Sequence, residues 1–262
     1  MKNIILTLLA ATILISMNTF GQVITVDGYY NHETQKDSSG KWIDYHYLWN
    51  DQQMTGFSIF GEAFKKNGAK VLDVLSEQPT LKNLSKSEVY IIVDPDNLKD
   101  NKHPNFMNAA DAKTIANWVK NGGVLFLLAN DKVNCDLEHF NILAEKFGFK
   151  FNNDLILHVT DDDHFADGAL STSNSSIFET SRRIFIKDAS SISIQHSAKS
   201  LLKTANGENV LVSAKYGKGI VLAVGDPWLY NEYTNGRLPA EFENDKAAND
   251  IASFLIKRIS KK

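Results

Sequence analysis

His32 and Glu33 stand directly behind the apolar run VITVDGYY, preceded by Asn31, and three further polar clusters follow apolar runs in the same way. VYIIVDP ends in Asp94 and Asp96, GGVLFLLAN ends in Asn130 and Asp131, and GIVLAVGDP delivers Asp226, Trp228 and Tyr230, with Arg237 a few residues on. His46 and Trp49 lie in the aromatic segment IDYHYLWND. Imidazole titrates near neutrality and transfers protons. An arginine fork grips a carboxylate, and aromatic rings stack on flat ligand faces. These residue types fit proton-transfer chemistry on a polar, anionic ligand.

Each also has an ordinary structural use. His32 can be a loop histidine with local hydrogen bonds, and Glu33 can orient an imidazole, bind a hydroxyl or simply be solvated. Asn130 and Asp131 can cap a turn or helix, Asp226 can cap a turn, and Trp49 and Trp228 can fill a core. His139, in the helical segment DLEHFNILAEKF, reads as a structural histidine beside the apolar face. The acidic stretch HVTDDDH has neither a zinc spacing nor a calcium-loop pattern and reads as a solvated loop. The chain has no phosphate-binding glycine loop and no Gly-x-Ser-x-Gly elbow. No metal and no cofactor is expected.

The elements that must position these groups follow from periodicity. Helices are expected over Thr55–Lys66, where Phe57, Phe60 and Phe64 share a face, and over Asp111–Lys120, Leu137–Phe147 and about Lys246–Ile259. Strands are expected at VITVD, AKVLDVLS, VYIIV and VLFLL, with Asn31 to about Trp49 as a polar loop. This alternation indicates an α/β fold with a doubly wound, mainly parallel sheet. In the second half RRIFIKDA, SISIQ, ENVLVSAKY and GIVLAVGD are short strand runs joined by compact turns, so antiparallel strands are added there. In an open parallel sheet the segments behind the strands share one edge, where ligands bind. The polar clusters should therefore meet.

The first 21 residues have a short basic start, an apolar middle and a small residue at the end, the pattern of a secretory signal peptide. Residues 22–262 then form one exported domain that has no membrane association once the signal is removed. Lysine and arginine are dispersed over a chain of formal net charge −3, which argues against a nucleic-acid partner. A single cysteine, Cys135, excludes an internal disulfide framework.

YYNHE, HYLWNDQQMTGFSIFGEAFKKNGA, LLANDKVNCDLEHFNILAEKFGFKF and GDPWLYNEYTNGRLP together resemble a glutamine-amidotransferase-like α/β family of exported proteins from polysaccharide-degrading bacteria. The resemblance covers nearly the whole chain after the signal. It implies a class I glutamine-amidotransferase-like, flavodoxin-like sheet. It also implies a functional partnership with unsaturated uronyl hydrolases, which remove unsaturated uronic acids during ulvan- or pectin-type breakdown. Amidotransferases proper need a cysteine on a tight strand-to-helix turn. Cys135 falls several residues past LLAND instead, and glutamine hydrolysis is not expected.

The activity implied by the resemblance is dehydration of the non-reducing-end uronic acid of an acidic oligosaccharide, giving a 4,5-unsaturated sugar. That reaction needs a base for the C5 proton, a clamp for the carboxylate and an acid for the 4-hydroxyl. His32, His46 and Tyr230 are the candidates for proton transfer. Asn31, Glu33, Trp49, Asn130, Asp131, Asp226, Trp228 and Arg237 are candidates for holding the substrate. The alternatives are a noncatalytic sugar-binding accessory protein and a glycoside hydrolase, although no convincing carboxylate pair for the latter stands out.

Overall fold

The computed structural model describes residues 22–196 and 198–259, so the expected signal peptide lies outside the described residues. The strands are β1 (Gln22–Asp27), β2 (Thr34–Lys36), β3 (Trp42–Asp44), β4 (Ala69–Leu75), β5 (Val89–Val93), β6 (Val124–Leu128), β7 (Phe149–Phe151), β8 (Ala169–Ser171), β9 (Arg183–Phe185), β10 (Ile192–Ile194), β11 (Lys199–Lys203), β12 (Asn209–Tyr216) and β13 (Gly219–Val224). The helices are α1 (Ser58–Lys66), α2 (Leu81–Leu84), α3 (Ala109–Lys120), α4 (Leu137–Ala144), α5 (Asn231–Thr234) and α6 (Asn244–Lys257).

Seven strands form one sheet in the order β11-β12-β13-β6-β5-β1-β4. β4, β1, β5, β6 and β13 run parallel, and β12 is antiparallel to both β13 and β11. The fold is thus α/β with a mainly parallel sheet and antiparallel strands from the C-terminal half. In chain order the parallel strands are arranged 2-1-3-4-5, which places a topological switch between β1 and β5.

VYIIV and VLFLL are buried at every residue because helices cover both faces of the sheet. Their side chains alternate between two cores. Val89, Ile91, Phe126 and Leu128 pack with Phe57, Phe60 and Phe64 around α1, and with Ile251 and Leu255 of α6. Tyr90, Ile92, Leu125 and Leu127 pack with Ile115 and Val119 of α3 and Phe140 of α4.

Three expectations are revised by local hydrogen bonding. The polar stretch behind β1 contains the β2–β3 hairpin. α1 begins at Ser58 because residues 55–57 close a loop: Tyr47 N–H donates to the Thr55 carbonyl at 2.9 Å and Phe57 N–H to the Leu48 carbonyl at 3.0 Å. Gly56 is required in that loop, since a Cβ there would lie 1.9 Å from the Asp51 carbonyl oxygen. RRIFIKDA and SISIQ do form strands, but β9 pairs with β8 and β10 with β7, outside the main sheet. No helix of the described residues is long and apolar enough to cross a membrane.

Candidate functional site

The carboxyl ends of β1, β5, β6 and β13 deliver Asp27, Asp94, Asn130 and Asp226 to one edge, and three of these are buried carboxyls. Asp27 is saturated. Its Oδ1 accepts the Tyr90 hydroxyl at 2.5 Å, and its Oδ2 accepts the backbone N–H groups of Tyr29, Tyr30 and Asn31. Burial raises its pKa to about 7 against the pull of those donors. Its use is to shape the turn that presents Asn31 and His32.

Asp94 is the hub. Its Oδ2 accepts the Tyr47 hydroxyl at 2.8 Å and the Asn130 amide at 3.1 Å, while the Asn31 amide donates to its carbonyl at 2.7 Å. Its Oδ1 is buried with no hydrogen-bond partner. Burial raises this carboxyl to about 7, opposed by Asn130, His46 and Tyr47. The acid is therefore poised to titrate near neutral pH, as acid–base groups in active sites often are.

Beside it, His46 Nδ1 lies 2.7 Å from Glu33 Oε1, and the Tyr45 hydroxyl donates to Glu33 Oε2 at 2.9 Å. The imidazole is sandwiched between Tyr45 and Tyr47, with centroids at 5.2 and 4.0 Å and nearly parallel planes. Burial opposes its charge, but Glu33, then Asp94 and Asp51, outweigh that and hold His46 above the ordinary histidine range. For Glu33, burial pushes upward and is outweighed by His46, Tyr45 and Lys99, leaving it below the usual carboxylate range. Glu33 thus fixes the Nδ1–H tautomer and leaves Nε2 as the basic atom. His32 forms a separate group: its Nδ1 lies 3.3 Å from Asp96 Oδ2 and its Nε2 lies 2.9 Å from the Asn101 amide.

Strain concentrates at this edge. Six non-glycine residues among those described have positive φ, and four of them are His46 (74°), Tyr47 (54°), Asp94 (44°) and Asp188 (52°). Left-handed backbone at such residues costs on the order of 1–3 kcal/mol each and persists only where surrounding structure imposes it. The pair at His46 and Tyr47 turns successive rings onto one stack, which alternating strand geometry would not allow.

An open cavity of about 290 Å³ adjoins the hub, lined by Asn130, Asn134, Lys187, Asp226, Tyr230 and Arg237 among others. Asp226 Oδ1 is buried and unpartnered, and the carboxyl is pushed well above its ordinary range by burial, with Asp94, Asp188 and Asp131 adding. Burial, Tyr233 and Asp226 likewise raise the Tyr230 phenol, whose ring lies 6.0 Å from that of Tyr47. Gly225 allows this placement: a Cβ there would sit 1.9 Å from the Ser190 carbonyl oxygen. Asp226 and the half-buried Lys187 therefore line one polar chamber that adjoins Asp94 through Asn130.

The structure brings Asn31, Glu33, His46, Asn130, Asp226 and Tyr230 together around Asp94. Arg237 lines the chamber but is already bound, donating to both Asp162 oxygens at 2.9 and 3.0 Å and pairing with Glu232. As a free carboxylate clamp it is corrected. Trp49 and Trp228 are corrected too: both are in the core, Trp49 against Phe57, Phe60 and Phe64 and Trp228 at 1% exposure. Asp131 turns inward to accept Val133 N–H and the Asn134 amide, shaping the loop instead of facing a ligand.

Cys135 is buried, and burial pushes its thiol well above the usual range, with Asp94 adding; it is not an activated nucleophile. His139 caps with Asp136 and stacks on Phe106, as a structural histidine does. His158 pairs with Asp188 and His164 with Asp161, and no metal-binding cluster occurs among the described residues. Tyr47 and Asp94 stood out in the sequence as a candidate and as a strand-end polar group but were given no role in the site, and Lys187 was missed. Asp94 was signalled by its place behind VYIIV, but Lys187 follows a peripheral strand and carried no signal.

The site thus belongs to an open α/β protein with a polar chamber behind its parallel strands. No protein-family model and no curated protein sequence matches the chain. Among solved structures, mmIFT52 N-terminal domain is similar at a TM-score of 0.66 and 15% identity, over 89% of this chain and 97% of that one. The cytoplasmic protein STM1381 from Salmonella typhimurium LT2 gives 0.57 and 12%, over 92% and 100%. The exo-β-1,4-mannosidase Op5Man5 from Opitutaceae bacterium strain TAV5 gives 0.52 and 14%, over 90% of this chain but 36% of that one. At such identities the likeness is one of fold.

Proposed function

We propose that this protein is an exported carbohydrate dehydratase, a hydro-lyase acting on the non-reducing-end uronic acid of acidic oligosaccharides. The observation that carries this reading is the Glu33–His46 pair grouped with two raised-pKa acids, Asp94 and Asp226, of which Asp226 lines the chamber. It groups an imidazole oriented by a carboxylate with carboxyls that burial pushes upward, the base and acid that an elimination needs. The resemblance in YYNHE and GDPWLYNEYTNGRLP to the amidotransferase-like family of polysaccharide degraders supports the same substrate class.

In this mechanism His46 Nε2 takes the C5 proton while Glu33 holds the other ring nitrogen. The C5–H electron pair forms the C4=C5 double bond, the C4–O bond breaks, and the hydroxyl leaves as water with a proton from Tyr230 or Asp226. Lys187, half-buried at the chamber wall with Asp188 3.8 Å away, takes the clamping role that Arg237 cannot. It neutralises charge developing on the sugar carboxylate. The product is the substrate that unsaturated uronyl hydrolases consume.

The test is incubation of purified protein with saturated uronate-ended oligosaccharides, following ultraviolet absorbance of the new double bond and product mass. Loss of one water with no change in chain length is expected. Shorter products would instead indicate a hydrolase, and binding without turnover an accessory protein.

A further inference from the structure

A second, larger cavity of about 680 Å³ lies on the other side of the 130–136 loop, within the range of small-ligand sites. Lys99, Lys132 and Lys150 line it, with the exposed apolar side chains of Leu98 and Val133 and the carboxylates of Asp136, Glu138 and Glu145. Two of those carboxylates are occupied: Asp136 by His139 at 2.8 Å, and Glu145 by Lys150 at 3.9 Å. Lys99 and Lys132 have no ion-pair partner within 4 Å among the described residues. The charges left unpaired are Lys99 and Lys132 against the single carboxylate of Glu138, so the available wall is basic on balance.

This cavity is tied to the chamber by specific groups. Lys99 Nζ donates to Asn134 Oδ1 at 2.9 Å, and Asn134 itself lines the chamber. Lys99 is also one of the groups that holds Glu33 below the usual carboxylate range. Lys99 thus stands where the chamber's Asn134 adjoins the second cavity, which Lys132 also lines. The chamber, less than half the size of the second cavity, suits one sugar ring, and the chain behind it needs a course over the surface.

We infer that this cavity is a second saccharide subsite, in which Lys99 and Lys132 bind an anionic group on a sugar behind the reacting residue, with Leu98 and Val133 against its C–H face. The inference rests on the proposed dehydratase reading for its substrate class. The anion is a carboxylate or a sulfate ester, which share the chemistry that an ammonium recognises.

The test is calorimetric binding of glucuronate and of a uronate-ended hexasaccharide to wild-type protein and to the K99Q/K132Q variant. Both lysines are exposed, so the variant leaves the core untouched. The hexasaccharide is expected to bind the variant about tenfold more weakly and with a shallower salt dependence, while the single variant K132Q, which leaves the Lys99 interactions with Asn134 and Glu33 in place, binds glucuronate as wild type does. Carboxyl-reduced and desulfated hexasaccharides identify which anion is read. Equal hexasaccharide affinity for both proteins overturns the subsite, as does no binding to wild type, or lysine-dependent capture of polyglutamate in place of the sugar. Tight, lysine-dependent hexasaccharide binding without loss of water keeps the subsite and refutes the dehydratase.

Discussion

The Tyr47 hydroxyl donates to Asp94 Oδ2 at 2.8 Å, while the other oxygen of the same buried carboxyl has no partner. One aromatic loop is thereby tied to the end of a central strand, and a proton-binding position is left free. A carboxyl held only for structure, such as Asp27, has donors on both oxygens. Asp94 is instead satisfied on one oxygen alone, so its carboxyl is free to keep a proton on the other.

Replacing His46 by Asn is expected to lower kcat by about 10²–10⁴-fold, the usual contribution of a general base, with little change in KM. Circular dichroism and a melting curve should show the fold retained. Full activity in H46N would remove the base from the mechanism.

The pH profile carries the sign of the His46 shift. A base acts when neutral, and His46 is held above its ordinary 6.5, so the acid limb of kcat/KM should lie above that pH. In E33Q the carboxylate that raises it is gone and burial, which lowers it, remains. The acid limb should then move to lower pH while the maximum falls. An unmoved limb would make Glu33 a purely structural residue.

Stability should also depend on pH through Asp94. Its folded pKa of about 7 exceeds the ordinary 3.8, so the folded state binds the proton more tightly. Stability from this group is complete below pH 3.8 and is lost as pH rises to about 7, a total on the order of 4 kcal/mol for such a shift. Denaturant midpoints across that window should fall less steeply in D94N than in wild type. Equal slopes would show that the carboxyl does not titrate there.

Lys187→Gln is expected to raise KM for a free uronate end by about 10–100-fold, the effect of losing one charge-assisted hydrogen bond. A methyl-esterified substrate should discriminate little between the two proteins. Equal losses on both substrates would mean that Lys187 recognises something other than the carboxylate.

Cys135→Ser should leave turnover unchanged, and the native thiol should resist alkylation until the protein is unfolded. Labelling of the folded protein that abolishes activity would reinstate a nucleophile.

How much of this was legible in the sequence follows from the range of the forces involved. VYIIV and VLFLL announced buried parallel strands because a strand covered on both faces must be apolar throughout. Gly148 and Gly217, both left-handed, marked a helix stop and a hairpin. The convergence of Asn31, Asp94, Asn130 and Asp226 followed from sheet topology, whereas His46 arrives on the loop after the β2–β3 hairpin. What stayed hidden depended on tertiary partners. Trp228 has the type and place of a stacking residue, and only the packing around it shows that it never meets solvent. Arg237 looks free until Asp162, distant in sequence, is folded against it. Lys187 comes from a two-stranded annex that periodicity could not attach to the site.

The left-handed backbone at His46, Tyr47, Asp94 and Asp188 sets the direction in which this protein can be stabilised. A screen for thermal tolerance should collect Gly or Asn at these four positions, because each relieves strain that the rest of the fold now resists. The gains in melting temperature should come with losses in turnover, since the same substitutions let the ring stack and the Asp94 carboxyl drift. Stabilising changes that spare activity should map instead to the outer antiparallel strands and the exposed turns, far from this edge. The distribution of backbone strain is thus also a map of where stability and activity compete.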